Sequence, residues 1–176
     1  MSTKVITGKV RFSYCHVFEP AAMAEGQTPK YSVSIIISKD DKLTIDKINK
    51  AVEEAKQEGK AKFGGKIPAN LKLPLRDGDI ERPDDDAYAN SCFITASSSQ
   101  APGIVDENRD EIKTKTDFYS GCYGRASINF YAFNTSGNKG IAVGLNNLQK
   151  LEDGEPLGGV RASAQDDFAD DDDDLA

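Results

Sequence analysis

The chain has 176 residues, 38% of them hydrophobic, with 22 Lys and Arg against 29 Asp and Glu for a net charge of −7. That length suits one domain with a substantial core and is cramped for two. No run of about 18 apolar residues offers a helical membrane span, and MSTKVITGKV lacks the apolar centre of an export signal, so a soluble, cytoplasmic protein is expected.

Residues 3–14, TKVITGKVRFSY, alternate as a first strand, with Ile6, Val10 and Phe12 facing inward around Gly8. Lys9 and Arg11 then face outward beside Val5 and Thr7. From Cys15 to Lys30 the pattern breaks, and Pro20, Gly26 and Pro29 mark a surface loop. Tyr31–Ser38 is a second strand with Tyr31, Val33, Ile35 and Ile37 on one face, and Ile36 implies partial cover on the other. A helix follows, capped by Asp40 or Asp41, with Ile45, Ile48, Val52 and Ala55 at helical spacing and Gly59 to end it.

The next segment, GKAKFGGK, sets Lys60, Lys62 and Lys66 around Phe63. A ring in a basic loop suits a groove that tracks a phosphate backbone. The same ring could equally anchor the loop in the core. The segment is not a phosphate-binding P-loop, because Ile67 follows Lys66 where a magnesium-binding hydroxyl is required. Residues 67–90 are long, irregular and rich in Pro, Gly and Asp, a type of loop that is usually functional or mobile. They do not make a calcium hand either, since Arg82 stands where the sharp turn demands glycine and no bidentate Glu closes the loop. No metal or other cofactor is expected.

Ser91–Ser97 is a further strand with Cys92, Ile94 and Ala96 on one side, and GIVDENRDEIK suggests a short hairpin with a polar tip at Asp106–Asp110. The stretch from Tyr119 to Leu145 is the most informative. Its even positions, Cys122, Gly124, Ala126, Ile128, Phe130 and Ala132, are apolar or small and suit the inside of a tapered barrel. Its odd positions include Tyr123, Arg125, Tyr131 and Phe133, a ring-bearing, cationic face on which bases could stack and phosphates pair. TSGNKG supplies the reversal, and Ile141, Val143 and Leu145 line the returning strand.

The whole net charge resides at the C-terminal end. Residues 162–176 carry Asp166, Asp167 and Asp170 to Asp174 and no Lys or Arg, so residues 1–161 are balanced and hold every basic group. A balanced body can own a basic groove that the whole-chain charge conceals. With so few apolar groups, residues 160–176 are expected to be a disordered acidic tail on a domain spanning 1–159.

Catalysis finds little support. His16 is the single histidine, so a nucleophilic triad has no spare base, and Cys15, Cys92 and Cys122 lack the close pairing of zinc ligands. Three widely spaced cysteines also argue for reduced thiols rather than a disulfide framework.

Many short strands, one helix and long loops fit a mainly β, OB-fold-like five-stranded Greek-key barrel. The helix comes after the second recognisable strand, earlier than its usual place between the third and fourth. Either the first strand bends into two or the helix is an insertion.

KVITGKVRFSY, GGKIPANLKLPLRDGD, FYSGCYGRASINFYAFN, KGIAVGLNN and the Asp-rich end resemble the phage and prophage single-stranded DNA-binding proteins, over essentially the whole chain. The resemblance implies an OB-fold acting in phage DNA replication and recombination, with an acidic C-terminal tail. Such tails often close on an aromatic residue, whereas this one ends Leu175-Ala176 with Phe168 set inside.

The mechanism expected is sequence-nonspecific binding of single-stranded DNA. Lys9, Arg11, Lys60, Lys62, Lys66 and Arg125 neutralise phosphates, and Phe63, Tyr123, Tyr131 and Phe133 stack on bases. The tail, with Asp166, Asp167, Phe168 and Asp170, Asp171, Asp172, Asp173, Asp174, competes for the groove and recruits replication or recombination proteins. Association between copies is left open. The alternative is a protein-interaction module whose acidic tail mimics nucleic acid or aids solubility.

Overall fold

Gly8 divides the first expected strand in two. The computed structural model describes residues 3–22, 26, 28–135 and 137–157. Within them β1 is Lys4–Ile6 and β2 is Val10–Ala21. Between these strands the Gly8 amide donates to the Thr44 hydroxyl at 3.0 Å, and Thr7 donates its own hydroxyl to the Gly8 carbonyl. The break resets the alternation. Val5 and Thr7 are buried while Ile6 is 41% exposed, the reverse of the expected faces, although Val10 and Phe12 point inward as expected. The expected loop from Cys15 is also corrected, because β2 continues to Ala21.

β3 is Lys30–Ser38 and α1 is Lys42–Glu58. Asp41 caps α1 by accepting from the Thr44 amide at 3.2 Å, and the buried stripe is Thr44, Ile48, Ala51, Val52 and Ala55, with Ile45 half-buried at its edge. Gly59 ends the helix, and only glycine fits there. A Cβ would stand 2.1 Å from the Ala132 methyl, so the helix end rests directly on the sheet. Beyond a 3-10 turn over Lys60–Phe63 come β4 (Arg76–Asp77), α2 (Gly78–Glu81), β5 (Ser91–Ser98), β6 (Gly103–Val105), β7 (Tyr123–Thr135) and β8 (Asn138–Glu152).

The barrel closes through pairings distant in sequence. β2 pairs antiparallel with β3, β3 with β5, and β7 with β8 along its full length. β5 meets β8 in parallel at Ser97 and Gly144, and β7 returns to both β1 and β2. This is the five-position OB-type Greek-key barrel. β1 and β2 share one barrel position, since both pair with β7, so α1 joins the second and third barrel strands. The first strand does break in two, but both halves fill one position, so the helix keeps its early place and the insertion reading is the one that fits. The even face of β7 lies wholly inside, with Cys122, Ala126, Ile128 and Phe130 each at most 1% exposed. Ile35, Ile37, Ile94 and Leu148 complete the centre of that core. The short hairpin forms in part: Val105 bridges Glu111 across an Asp106–Asp110 tip, while β6 pairs in parallel with β8.

Within residues 67–90, Lys72 first pairs beside Gly140 of β8, and from β4 onward the chain folds over the outside of β5 and β3. Tyr88 is fully buried there against Ile36 and Phe93, making a second, smaller apolar cluster, so the outer face of β3 is covered more fully than the sequence implied. Lys39, at the end of β3, fastens this excursion through ion pairs to Asp77 at 2.9 Å and Asp79 at 2.7 Å. Hydrogen bonding to Lys39 holds both carboxyls below the usual carboxylate range, and those same bonds push the lysine upward. A depressed carboxyl stabilises the fold above its unfolded-state pKa, and that contribution disappears as pH falls through the folded value. Lys39→Met should therefore lower the melting temperature at neutral pH, with the gap from wild type closing below about pH 4, in the carboxylate range. Thermal melts across pH check this, and a gap constant with pH would show that the pair contributes nothing.

Candidate nucleic-acid interface

The outer face of β2, β3 and β5 is a floor of hydroxyls. Register places Ser13 beside Ser34 and Ser34 beside Thr95, with Ser32 next along β3. The Tyr88 hydroxyl bonds Ser34 Oγ at 3.0 Å, which fixes the excursion to this floor. A cleft of about 210 Å³ opens over it, lined by Tyr14, His16, Ser32, Ser34, Arg82 and Thr95.

Tyr14 is aimed by a bulge. Register in β2 slips between Ser13 and His16, and Tyr14 takes φ +48°, a left-handed conformation that costs a non-glycine residue energy. Strict alternation would have sent its ring inward after Val10 and Phe12. The bulge instead turns it out, leaving it 46% exposed. Above the cleft the Arg82 guanidinium lies 5.9 Å from the Tyr14 ring centroid, 5.7 Å from Tyr88 and 5.6 Å from Phe93. Among the described residues no carboxylate pairs with it. Such a cation, held over aromatic faces and open to solvent, can still meet a phosphate or stack on a base.

Lys9, Arg11 and Tyr123 form a second cluster beside this cleft. Arg11 pairs with Tyr123 across β2 and β7, and its guanidinium lies 5.2 Å from the Tyr123 centroid, with the Lys9 ammonium at 5.4 Å. These groups already have partners in the chain leaving β8. Lys9 pairs with Glu152, while Arg11 donates to the Gly121 carbonyl at 3.1 Å and the Glu155 carbonyl at 2.8 Å. Residues 153–157 thus form a strap. Tyr119 bonds Asp153 and Gly154, the Leu157 amide donates to the Ser120 carbonyl at 2.8 Å, and the Leu157 side chain packs on the Tyr88 cluster.

The remaining expected site residues divide. Arg125 lies on the outer face of β7, its Nε donating to the Thr7 carbonyl at 3.1 Å. Tyr131 shares that face and is 42% exposed, while Phe133 is half-buried with its ring over Gly140. Lys60, Lys62 and Lys66 are exposed, and Lys62 reaches the Ala132 carbonyl at 3.2 Å near the far end of β7. Phe63 requires correction. It is 4% exposed within the main core, so it is the anchor of its loop and presents no face to a base. A ring flanked by lysines reads alike in sequence whether it points in or out. The expected tail residues, Asp166 to Asp174 with Phe168, lie outside the described residues.

Sequence reasoning missed Tyr14, His16 and Arg82 as a group. In sequence Tyr14 lies at the end of an apparently regular strand, His16 is a single histidine, and Arg82 stands in an acidic loop where a calcium hand would need glycine. Nothing local marks the bulge or the fold-back that brings them together. The chemistry at Cys15 is quiet: burial pushes its thiol up to about 12, far from a nucleophile's range. Among the described residues no three His, Cys, Asp or Glu side chains gather as a metal site, and no helix is long and apolar enough to cross a membrane.

A family model described as "Enterobacter phage Enc34, ssDNA-binding protein" matches residues 3–176. The structure of the single-stranded DNA-binding protein from bacteriophage Enc34 in complex with ssDNA superposes with TM-score 0.78 at 28% identity, over 89% of this chain and 90% of that one. Protein p50 of Acyrthosiphon pisum secondary endosymbiont phage 1 is 27% identical over 177 residues, covering 95% of this chain and 93% of its own length. Gp2.5, a single-stranded DNA-binding protein encoded by bacteriophage T7, shares the fold with TM-score 0.62 at 13% identity, over 97% of this chain and 94% of its own.

Proposed function

The chain belongs to the Enterobacter phage Enc34 ssDNA-binding protein family, and on that premise we propose that it binds single-stranded DNA across the outer face of β2, β3 and β5. The observation that carries this placement is the bulge that holds Tyr14 out over a hydroxyl floor beneath Arg82. Tyr14 offers a stacking surface to an unpaired base, worth about 1–3 kcal/mol and open to every base type. Arg82 meets the phosphate or the base face beside it, and the serine and threonine hydroxyls serve sugar and phosphate oxygens. Lys9, Arg11 and Tyr123 continue the path once the strap over them yields or shifts.

The protein acts by binding rather than catalysis, in phage DNA replication and recombination within the host cytoplasm. Its acidic tail follows directly from the strap, which already lies on this face. A segment so tethered competes with DNA at an effective concentration that reaches about millimolar. DNA displaces it, and the freed aspartates with Phe168 recruit replication or recombination proteins.

Titrating the full chain against a labelled single strand and the matching duplex tests the proposal. The single strand should bind more tightly, with log K falling linearly as log salt rises. Equal or tighter binding of the duplex would remove the stacking role given to Tyr14, because paired bases offer it no free face.

A further inference from the structure

Beyond Tyr123 the outer face of β7 continues into a surface that the cleft above does not use. β1 pairs with it, setting Ile6 beside Ser127 and Lys4 beside Asn129 on the same side. Ile6 and Tyr131 are 41% and 42% exposed, two large apolar groups left uncovered on this face, with Tyr131 four residues along β7 from the Ser127 that Ile6 opposes. On one flank of Ile6, a cleft of about 250 Å³ holds Arg125, Ser127 and Asn147. On the other, between β1 and α1, a cleft of about 500 Å³ is lined by Lys4, Lys47, Lys50 and Glu54. Lys47 and Lys50 are exposed and one helical turn apart, so both stand on the same rim. Glu54 Oε2, on the wall of this cleft, is enclosed with no hydrogen-bond partner among the described residues. Acidic residues from Asp106 to Glu111 border the Arg109 end, so an anionic strand is turned toward the lysines.

We propose that this β1–β7–α1 surface is a second tract for the same single-stranded DNA, entered past Tyr123 and Arg125. Phosphates run along Lys47 and Lys50, and successive bases rest on Ile6 and Tyr131. The inference rests on the reading that the chain binds single-stranded DNA. It adds that one barrel engages more of the strand than the Tyr14–Arg82 cleft holds. Charge selects the occupant: Lys47 and Lys50 on one rim and Arg125 on the other flank of Ile6 offer cations, and the exposed apolar groups beside them match the alternation of phosphate and base.

Strand length separates the two tracts. The chain has no tryptophan, so Tyr131→Trp installs a single reporter on the exposed face. Its emission should be quenched by oligo-dT of about thirty nucleotides and not by one of about six, a length within a single OB-fold site. In the full chain, Lys47→Ala with Lys50→Ala should weaken the long strand at least tenfold and lower its salt slope by about 1.4, at about 0.7 per phosphate. Binding of the short strand should change less than twofold. Equal losses at both lengths, no loss at either, or quenching by the short strand would overturn the second tract while leaving single-strand binding intact. If the wild type binds neither strand, the parent reading fails.

Discussion

Arg82→Ala should lower affinity for single-stranded DNA about tenfold or more, or about 1.4 kcal/mol, and reduce the salt slope by about 0.7. The guanidinium stands over Tyr14, Tyr88 and Phe93 with no carboxylate partner among the described residues, so its charge is available to a phosphate. Its contribution to the fold is small. Arg82 is exposed, and cation–π contacts at exposed sites contribute about 0.5–1 kcal/mol, so melting should fall by no more than about 4 °C. Arg82→Lys should fall between, because an ammonium keeps the charge but not the planar, stacking fork. Fluorescence anisotropy beside thermal melts separates the two readouts. Unchanged affinity in a folded Arg82→Ala protein would move the binding face away from β3 and β5, whatever the family of the chain.

Truncation after Arg161 should raise affinity, by about tenfold at about 50 mM salt and by far less at about 200 mM. The removed segment carries all of the excess negative charge, so the protein that remains is balanced. If the tethered aspartates compete for the groove, their attraction to it is screened as the Debye length shortens. The strap sets where they begin. Glu155 lies against Arg11 and Leu157 against the Tyr88 cluster, so the chain departs from the face that binding would occupy. Because the truncated protein keeps residues 153–157, a gain in affinity reports on the aspartates alone. Equal or weaker binding at low salt would show that the tail does not compete.

The tail and Arg82 differ in how far the local sequence shows them. The tail could be proposed from composition, since a run of aspartates without a basic residue is visible in any reading of the chain. The role of Arg82 could not. In sequence it stands between Glu81 and Pro83, ahead of Asp84–Asp86, and its neighbours suggest solvent. It faces three rings because Lys39 fastens Asp77 and Asp79, Tyr88 enters the space above Ile36, and β4 adds to β5. Each contact joins residues far apart along the chain. Phe63 makes the same point in reverse: basic neighbours suggested a stacking ring, and the depth of the core at the end of α1 decided otherwise.

Alternation fixed what it could reach. The inner face of β7, the capped helix, the barrel class and the balanced body with its acidic end all follow from period and composition, because side-chain direction in a regular strand or helix repeats locally. Tertiary structure decided the breaks in that regularity. Gly8 inverted Val5 and Ile6, the bulge after Ser13 turned Tyr14 outward, and the fold-back of residues 67–90 delivered Arg82. A slip of one residue exchanges the two faces of a strand, and what stabilises that slip is a partner strand or a covering loop. Local pattern therefore gave the barrel, and long-range pairing chose which rings and cations its outer face exposes.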